Sequence, residues 1–266
     1  MPFTLAHAAA ALPFRRMNLA WSAFLVGSMA PDFPYVVGNI EYRALGHDFP
    51  GLLFFTLPVS FVALWFFHLA IKRPATGLLP VGMQRRLVSE LGDFHFGGVR
   101  RVLTISFSII LGITTHLVWD SFTHSRTWAW RHVAWLQSWM DLPVAGPIPT
   151  VMFLQYASTL LGFLSLGAWL LLWYLRTPPV GNVASLPAHK SRAPLAAILF
   201  AIAIATGLLR AWNLIGMAPP TAHNWDWFML NFAATAIAVG FWEVLFYCLI
   251  VTSREILRQP AKLGVM

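Results

Sequence analysis

The sequence predicts an all-α, polytopic membrane protein with about five transmembrane helices and short re-entrant or interfacial helices at its amino terminus. Of its 266 residues, 58% are hydrophobic and 11% are charged, whereas soluble domains carry about a quarter charged residues. The mean hydropathy is +0.66. The thirteen tryptophans favour the same interpretation, because indole rings concentrate at bilayer interfaces. Lipid is therefore the predicted solvent for most of the chain.

The amino-terminal segment, residues 1–50, is predicted to carry short helices rather than a complete span. Its apolar run at 17–29 is too short to cross a bilayer. Pro31 and Pro34 follow this run and should end the helix near Asp32. We expect residues 3–30 to form two short helices that dip into the membrane or lie on it.

Five longer apolar runs follow, and each has the length that a transmembrane helix requires. They cover residues 51–71, 102–122, 151–175, 193–215 and 227–251. We expect residues 1–266 to form a single membrane domain, with a five-helix bundle over 51–251 and a cytoplasmic tail over 252–266. Between the second and third spans, Trp128, Trp135 and Trp139 fall near one stripe of a helix, so residues 126–140 are predicted to form an interfacial helix.

Lysine and arginine alternate between two sets of loops. The loops after the first and third spans and the carboxy-terminal tail hold twelve of these residues, whereas the loops on the other side hold five, including Arg15 and Arg16. Under the positive-inside rule the richer set is cytoplasmic, so the amino terminus is expected outside and the carboxy terminus in the cytoplasm. The loops account for the net charge of +8, and no nucleic-acid partner is expected.

Histidine and aspartate are concentrated on the predicted outer face, where both are potential ligands of a metal ion. The residues that fall there are His7, Asp32, His47, Asp48, His116, Asp120, His124, His132, His223 and Asp226. The lone Cys248 lies in an apolar run, so neither a disulfide framework nor a thiolate site is predicted. The sequence therefore predicts a metal site made of nitrogen and oxygen ligands on this face.

The segment THLVWDSFTHS carries the most specific signal. His116 and Asp120 are four residues apart and share one face of a helix. His124 follows after four more residues, roughly 80° around the helix from His116, and can approach a neighbouring ion. An ionised aspartate near the end of a membrane helix is costly unless it is paired, hydrated or bound to a cation. Alternatively, Asp120 marks the water interface and His116 bonds a backbone carbonyl.

Other candidates each have a structural alternative. Asp32 and His47 lie in segments that contain proline or glycine, where they could be ordinary turn residues. His7 lies among small apolar residues and could be a buried histidine with a hydrogen-bonded partner. Arg126 could bind an anionic group such as phosphate, or its side chain could extend to lipid headgroups.

Two further pairs are less specific. His223 and Asp226 are three residues apart and could hold an ion or a substrate, although their position before an apolar run favours a helix-capping role. Arg210 and Glu243 both lie inside predicted spans and could form an ion pair with a structural role.

The segments MPFTLAHAAAALPFRR, GSMAPDFPY, GHDFPGLLFF and THLVWDSFTHS resemble a bacterial membrane family known as domain of unknown function 4184. The resemblance is close over the amino-terminal half, and the carboxy-terminal half is similar mainly in its apolar spans. It implies a location in the bacterial inner membrane. The family supplies no activity.

The chain also resembles, more distantly, bacterial inner-membrane metal-dependent hydrolases, and its order of ligands is similar to that of zinc-dependent phospholipase C and the S1/P1 nucleases. This resemblance implies one ion held by Asp32, His47, His116 and Asp120, a second held by His7 with Asp120 bridging, and a third at His124 with His223 and Asp226 as candidate partners. The chain lacks their amino-terminal tryptophan ligand, and its last histidine follows Asp120 at a shorter spacing. One or two ions are therefore expected, with zinc implied and magnesium or manganese as alternatives.

These observations lead to the hypothesis of a metal-dependent hydrolase at the extracytoplasmic membrane surface that acts on a lipid-linked phosphoester. Asp32 or Asp120 would orient a water, and Arg126 would hold phosphate charge. One alternative is a membrane enzyme that acts on isoprenoid diphosphates, as a cyclase or by removing diphosphate, since aromatic faces stabilise cations. Another is a non-catalytic membrane scaffold. The sequence makes no prediction of the oligomeric state.

Overall fold

The computed structural model describes residues 4–36, 46–143, 146–180, 192–216 and 222–258. The amino-terminal segment contains a 3₁₀ helix at Thr4–Arg16, helix α1 at Trp21–Met29, a 3₁₀ turn at Ala30–Asp32 and the short helix α2 at Phe33–Val36. Neither of the two longer elements reaches the length of a transmembrane span. The segment therefore consists of short helices, as predicted.

The remaining elements alternate between long apolar helices and short polar connections. They are α3 at Phe49–Thr76, α4 at Val81–Leu87, a 3₁₀ turn at Val88–Leu91, α5 at Val99–Thr123, α6 at Trp128–His132, a 3₁₀ turn at Ala134–Gln137, strands β1 at Trp139–Leu142 and β2 at Gly146–Pro149, α7 at Thr150–Arg176, α8 at Ala193–Ile215 and α9 at Ala222–Arg258.

Within the described ranges, five helices are long and apolar enough to cross a membrane, namely α3, α5, α7, α8 and the Trp227–Leu257 part of α9. The predicted all-α fold with five spans is confirmed, and this chain is a multi-pass membrane protein. Helix α3 contains a π-helical stretch at Leu52–Thr56, immediately before the turn with Pro58. Proline has no N–H to donate to the preceding turn, which accounts for the irregular backbone there.

The predicted interfacial helix over 126–140 is wrong. Helix α6 ends at His132, because Val133 has an extended backbone that interrupts the helix. Trp139 then enters β1, which pairs antiparallel with β2 and places Trp139 opposite Pro149. Trp128, Trp135 and Trp139 are nevertheless each more than half exposed, so this connection still presents indole rings outward.

The chain divides into two compact units. The first comprises Met1–Leu64, Phe96–Leu171 and Pro220–Trp225, and the second comprises Trp65–His95, Leu172–Pro219 and Asp226–Met266. All side chains of the candidate site described below belong to the first unit.

In the first unit, α1 and α5 run parallel and side by side. At one end of the pair, the backbone N–H of Ala20 donates to Ser108 Oγ over 3.0 Å. At the other end, His116 Nδ1 lies 2.9 Å from the carbonyl oxygen of Ser28. Both contacts join residues 88 apart in sequence, so the two helices keep one register over two turns. This pairing brings the end of α1 to the end of α5.

In the second unit, α8 and α9 run antiparallel. Gly207 lies against the backbone of Phe232, and Ala203 faces Gly240. In this register Arg210 and Glu243 lie beyond opposite ends of the contact, about 15 Å apart along the helix axes. The predicted ion pair between Arg210 and Glu243 is therefore wrong.

The close approach of α1 and α5 depends on Gly112, because a Cβ there would overlap the backbone carbonyl of Phe24. We expect Gly112→Ala to lower the free energy of unfolding by about 1–3 kcal/mol through overpacking. Thermal unfolding in detergent micelles measures this change. The control is Gly167→Ala in α7, where a Cβ would meet no atom within 4 Å. Equal unfolding temperatures for the two variants would contradict the packing described here.

Candidate metal centre

Six side chains that the sequence marked as candidate ligands converge in the first unit. They come from the 3₁₀ helix, the turn after α1, the residues before α3, and the end of α5: His7, Asp32, His47, His116, Asp120 and His124. Of these, His7, Asp32, His116 and Asp120 are 6% exposed or less. The cluster therefore removes ionisable groups from solvent almost completely.

Asp120 is the centre of this cluster. Its Oδ1 lies 3.4 Å from His7 Nε2 and 3.6 Å from His124 Nδ1. Its Oδ2 lies 3.5 Å from both His47 Nε2 and His116 Nε2. Each carboxylate oxygen thus faces two imidazole nitrogens.

Asp32 approaches the cluster from the turn that follows α1. Its Oδ1 lies 3.7 Å from His116 Nε2, and its Oδ2 accepts a hydrogen bond of 2.7 Å from the Thr4 hydroxyl. Burial raises the pKa of Asp32 above its usual value, and the neighbouring His116 and the Thr4 hydrogen bond oppose this shift. Thr4 therefore orients the carboxylate so that one oxygen remains for the cluster.

His116 has its tautomer set by the backbone. A carbonyl oxygen can only accept, so the contact with Ser28 requires a proton on Nδ1; in the neutral ring the lone pair is then on Nε2, which faces both aspartates. The His7 ring stacks on His116 with a centroid distance of 4.0 Å. Burial, followed by the charge of His116, lowers the pKa of His7 to about 3. His7 is thus neutral near pH 7 and can offer a lone pair to a cation.

The separations between these atoms fit ligands that share a cation. N–H···O hydrogen bonds are about 2.7–3.2 Å long, and the nitrogen–oxygen distances around Asp120 are 3.4–3.6 Å. Two ligands at about 2.1 Å from a tetrahedral zinc ion are about 3.4 Å apart. His7 Nε2, His116 Nε2 and Asp120 Oδ1 are buried without a hydrogen bond to any described residue. Such atoms are costly unless a partner satisfies them, and a cation is one such partner.

The donor atoms fall into two overlapping groups around His116. In one group, atoms of His7, His116 and Asp120 lie within 4.8 Å of one another, and in the other, atoms of Asp32, His47 and His116 do so. Asp120 presents one oxygen to each side, so the arrangement can accommodate one cation or two cations bridged by this carboxylate. His124 faces the same Asp120 oxygen as His7, so it lies on the side of His7. The side chains of His223 and Asp226 lie outside the described residues.

A cavity of about 290 Å³ adjoins the cluster. It is lined by His47, Leu117, Asp120, Ser121, His124, Thr127 and Trp128. Asp120 and two of its imidazole neighbours therefore face a space that a small polar group can enter, whereas Asp32 and His7 are not part of the lining.

Three other polar residues that were predicted on the outer face do not join the cluster. Arg126 is exposed, has a left-handed backbone with a φ of 66°, and is not among the residues that line the cavity. His132 is exposed and stacks on Trp128, with a centroid distance of 4.6 Å. Asp48 is exposed at the start of α3. The role of Arg126 with phosphate stays a prediction.

Three residues that support the ligands were not marked by the sequence analysis. Thr4 and Ser28 are polar residues within apolar runs, and this isolation is the signal that could have identified them. Gly46 precedes His47 and packs so tightly that a Cβ would overlap the carbonyl oxygen of Pro31. The contact brings the backbone of His47 against the backbone next to Asp32.

A family model matches residues 1–249, and its description is Domain of unknown function (DUF4184). No curated protein and no solved structure matches the chain.

Gly46→Ala should displace His47 from the cluster, because the added methyl group occupies the place of the Pro31 carbonyl. We expect the affinity for zinc to fall about 10-fold or more, as for other changes in the support of metal ligands. Competition with a zinc chelator measures this affinity. Gly98→Ala is the control, since a Cβ at Gly98 would meet no atom within 4 Å. Unchanged affinity in Gly46→Ala would show that His47 does not depend on this contact.

Proposed function

The chain belongs to the DUF4184 family, and we propose that it is a metal-dependent hydrolase of lipid-linked phosphoesters with its site at the extracytoplasmic surface of the bacterial inner membrane. The observation that carries this proposal is the Asp120 carboxylate, which is surrounded by four imidazole nitrogens at 3.4–3.6 Å and faces a cavity. With both rings neutral and no ion bound, the buried lone pairs of His7 and His116 would be left unsatisfied.

The composition of the donor set supports zinc as the metal. Imidazole nitrogens suit zinc and other transition metals, whereas magnesium and calcium prefer sites made of oxygen. Asp32, His47, His116 and Asp120 would hold one ion, and His7, His124 and the other Asp120 oxygen would hold a second. Magnesium or manganese is the alternative that metal analysis distinguishes.

The residues around the cavity have distinct roles in this proposal. A bound zinc ion supplies an activated water near neutral pH and neutralises phosphoryl oxygens. Asp120 and His124 line the cavity and, as ligands, would hold the ion so that its water faces the cavity. Asp32 lies behind His116, so we assign it to holding the ion rather than to orienting water. Arg126 would attract the phosphate from outside the cavity.

Exposed apolar residues beside the cavity support a substrate that arrives from the bilayer. Val118, Trp119 and Phe122 of α5 are each more than two-fifths exposed and flank Leu117 and Ser121 of the lining. On a transmembrane helix such side chains contact lipid tails. No lysine or arginine is among the described residues that line the cavity, and a bound metal would supply positive charge for a phosphate there.

The orientation is proposed from charge. The start of α3 and the end of α5 carry ligands at the same end of two successive spans. Six lysine and arginine residues lie in the last turns of α3, the loop that follows it and the first turn of α5, at the opposite ends of these spans. The positive-inside rule then assigns the cluster to the extracytoplasmic face.

Metal analysis of the purified protein is the first test. We expect about one or two zinc ions per chain, lost in the double variant His116→Ala, Asp120→Ala, because both sides of the cluster lose a ligand. The matched control is His132→Ala, Asp141→Ala, which changes an exposed histidine and an exposed aspartate of the same unit. A wild-type protein that binds no transition metal would support the scaffold alternative and contradict the proposal.

Turnover is the second test. The zinc-loaded protein should release phosphate or a phosphorylated headgroup from phospholipids, and Asp120→Asn should lower kcat about 100-fold or more, because the carboxylate that holds the metal loses its charge. Arg126→Ala should raise KM, whereas Arg131→Ala, which changes another exposed arginine, should not. Turnover of a prenyl diphosphate that requires magnesium instead of zinc would favour the isoprenoid enzyme and overturn the phosphoester assignment.

A further inference from the structure

The 3₁₀ helix and α1 form a hairpin that both begins and ends at the cluster. His7 lies near its start, and Asp32 follows its second arm. The turn is tight, because Met17 N–H donates to the Phe14 carbonyl over 2.9 Å and Leu19 N–H to the Met17 carbonyl over 2.8 Å. The tip of the hairpin is formed by four exposed residues, Arg15, Arg16, Met17 and Asn18.

The register of α1 on α5 gives the depth of the tip. Ala20, just after the tip, is level with Ser108. Ser108 lies about three turns before Asp120, which at ~1.5 Å per residue is about 18 Å along α5. The 3₁₀ helix, which is the first arm of the hairpin, gives the same distance from the cluster to the tip. At ~2.0 Å per residue, the path from His7 to Arg16 is also about 18 Å. The tip is therefore far from the cluster and toward the start of α5.

This depth determines what the two arginines can bind. The hydrocarbon core of a bilayer is about 30 Å thick, so a tip about 18 Å below one surface is about 12 Å from the other. Snorkelling of the arginine side chains, together with local thinning of the bilayer and the entry of water around a buried charge, brings the guanidinium groups across this distance to the headgroups. No ion pair among the described residues involves Arg15 or Arg16. Guanidinium groups bind phosphate oxygens with two parallel hydrogen bonds.

We infer that the amino-terminal hairpin is re-entrant and that Arg15 and Arg16 bind the phosphate headgroups of anionic lipids in the leaflet opposite the metal cluster. This changes the charge count made from sequence, in which both residues were assigned to the face of the cluster. Arg100, in the first turn of α5, is exposed at the same end. Placing Arg15 and Arg16 on the same side as Arg100 increases the difference in basic charge between the two faces of the membrane, in the direction that the positive-inside rule requires.

Cysteine labelling tests the position of the tip. In a Cys248→Ala background, which removes the one native cysteine, single cysteines are placed at Asn18, Arg100 and Ser125. A membrane-impermeant maleimide is applied to right-side-out and inside-out vesicles. We expect Asn18→Cys to react from the side of Arg100→Cys, opposite Ser125→Cys. Reaction from the Ser125 side, or reaction only after detergent is added, would overturn the inference.

Lipid dependence tests the headgroup contact. The protein is placed in nanodiscs of phosphatidylcholine with or without phosphatidylglycerol, and thermal unfolding is measured. We expect phosphatidylglycerol to raise the Tm of the wild type, and Arg15→Gln, Arg16→Gln to lose most of this increase. Arg131→Gln, at the other end of the unit, should retain it. A double variant with the full increase would overturn the lipid contact, and neither experiment depends on metal binding or turnover.

Discussion

The first unit is organised around a carboxylate that cannot be buried alone. Asp120 lies at the end of a transmembrane helix with little access to water, and the removal of an ionised group from water costs several kcal/mol unless other groups compensate. Four imidazole nitrogens surround it. They are brought there by segments distant in sequence, so the packing of the amino-terminal hairpin on α5 and the charge of Asp120 depend on each other.

The groups behind the ligands are mainly backbone. The Ser28 carbonyl fixes the ring of His116, and the Pro31 carbonyl contacts Gly46 beside His47. Thr4 supplies a side-chain hydroxyl to Asp32. Backbone groups at the ends of packed helices move less than long side chains. The cluster is therefore preorganised to the extent that α1, α3 and α5 keep their positions.

The spans and the candidate ligands could be predicted from sequence for one reason. A bilayer requires apolar runs of a fixed length, and any histidine or aspartate at the edge of such a run then stands out, as His7, His116 and Asp120 do. The register between helices could not be predicted, because it depends on pairwise contacts such as Ala20 with Ser108. For the same reason the separation of Arg210 and Glu243, and the short strands after Val133, were missed.

The parallel direction of α1 and α5 has an electrostatic consequence. Both helices end at the cluster, and the carboxy-terminal end of a helix carries about half a negative elementary charge from its aligned peptide dipoles. The start of α3 contributes the opposite sign, so two negative ends act against one positive end. Free anions are disfavoured in such a field, and cations are favoured. Under the proposed function, an anionic substrate would enter only after a metal ion has reversed the local potential, so the ion would bind first.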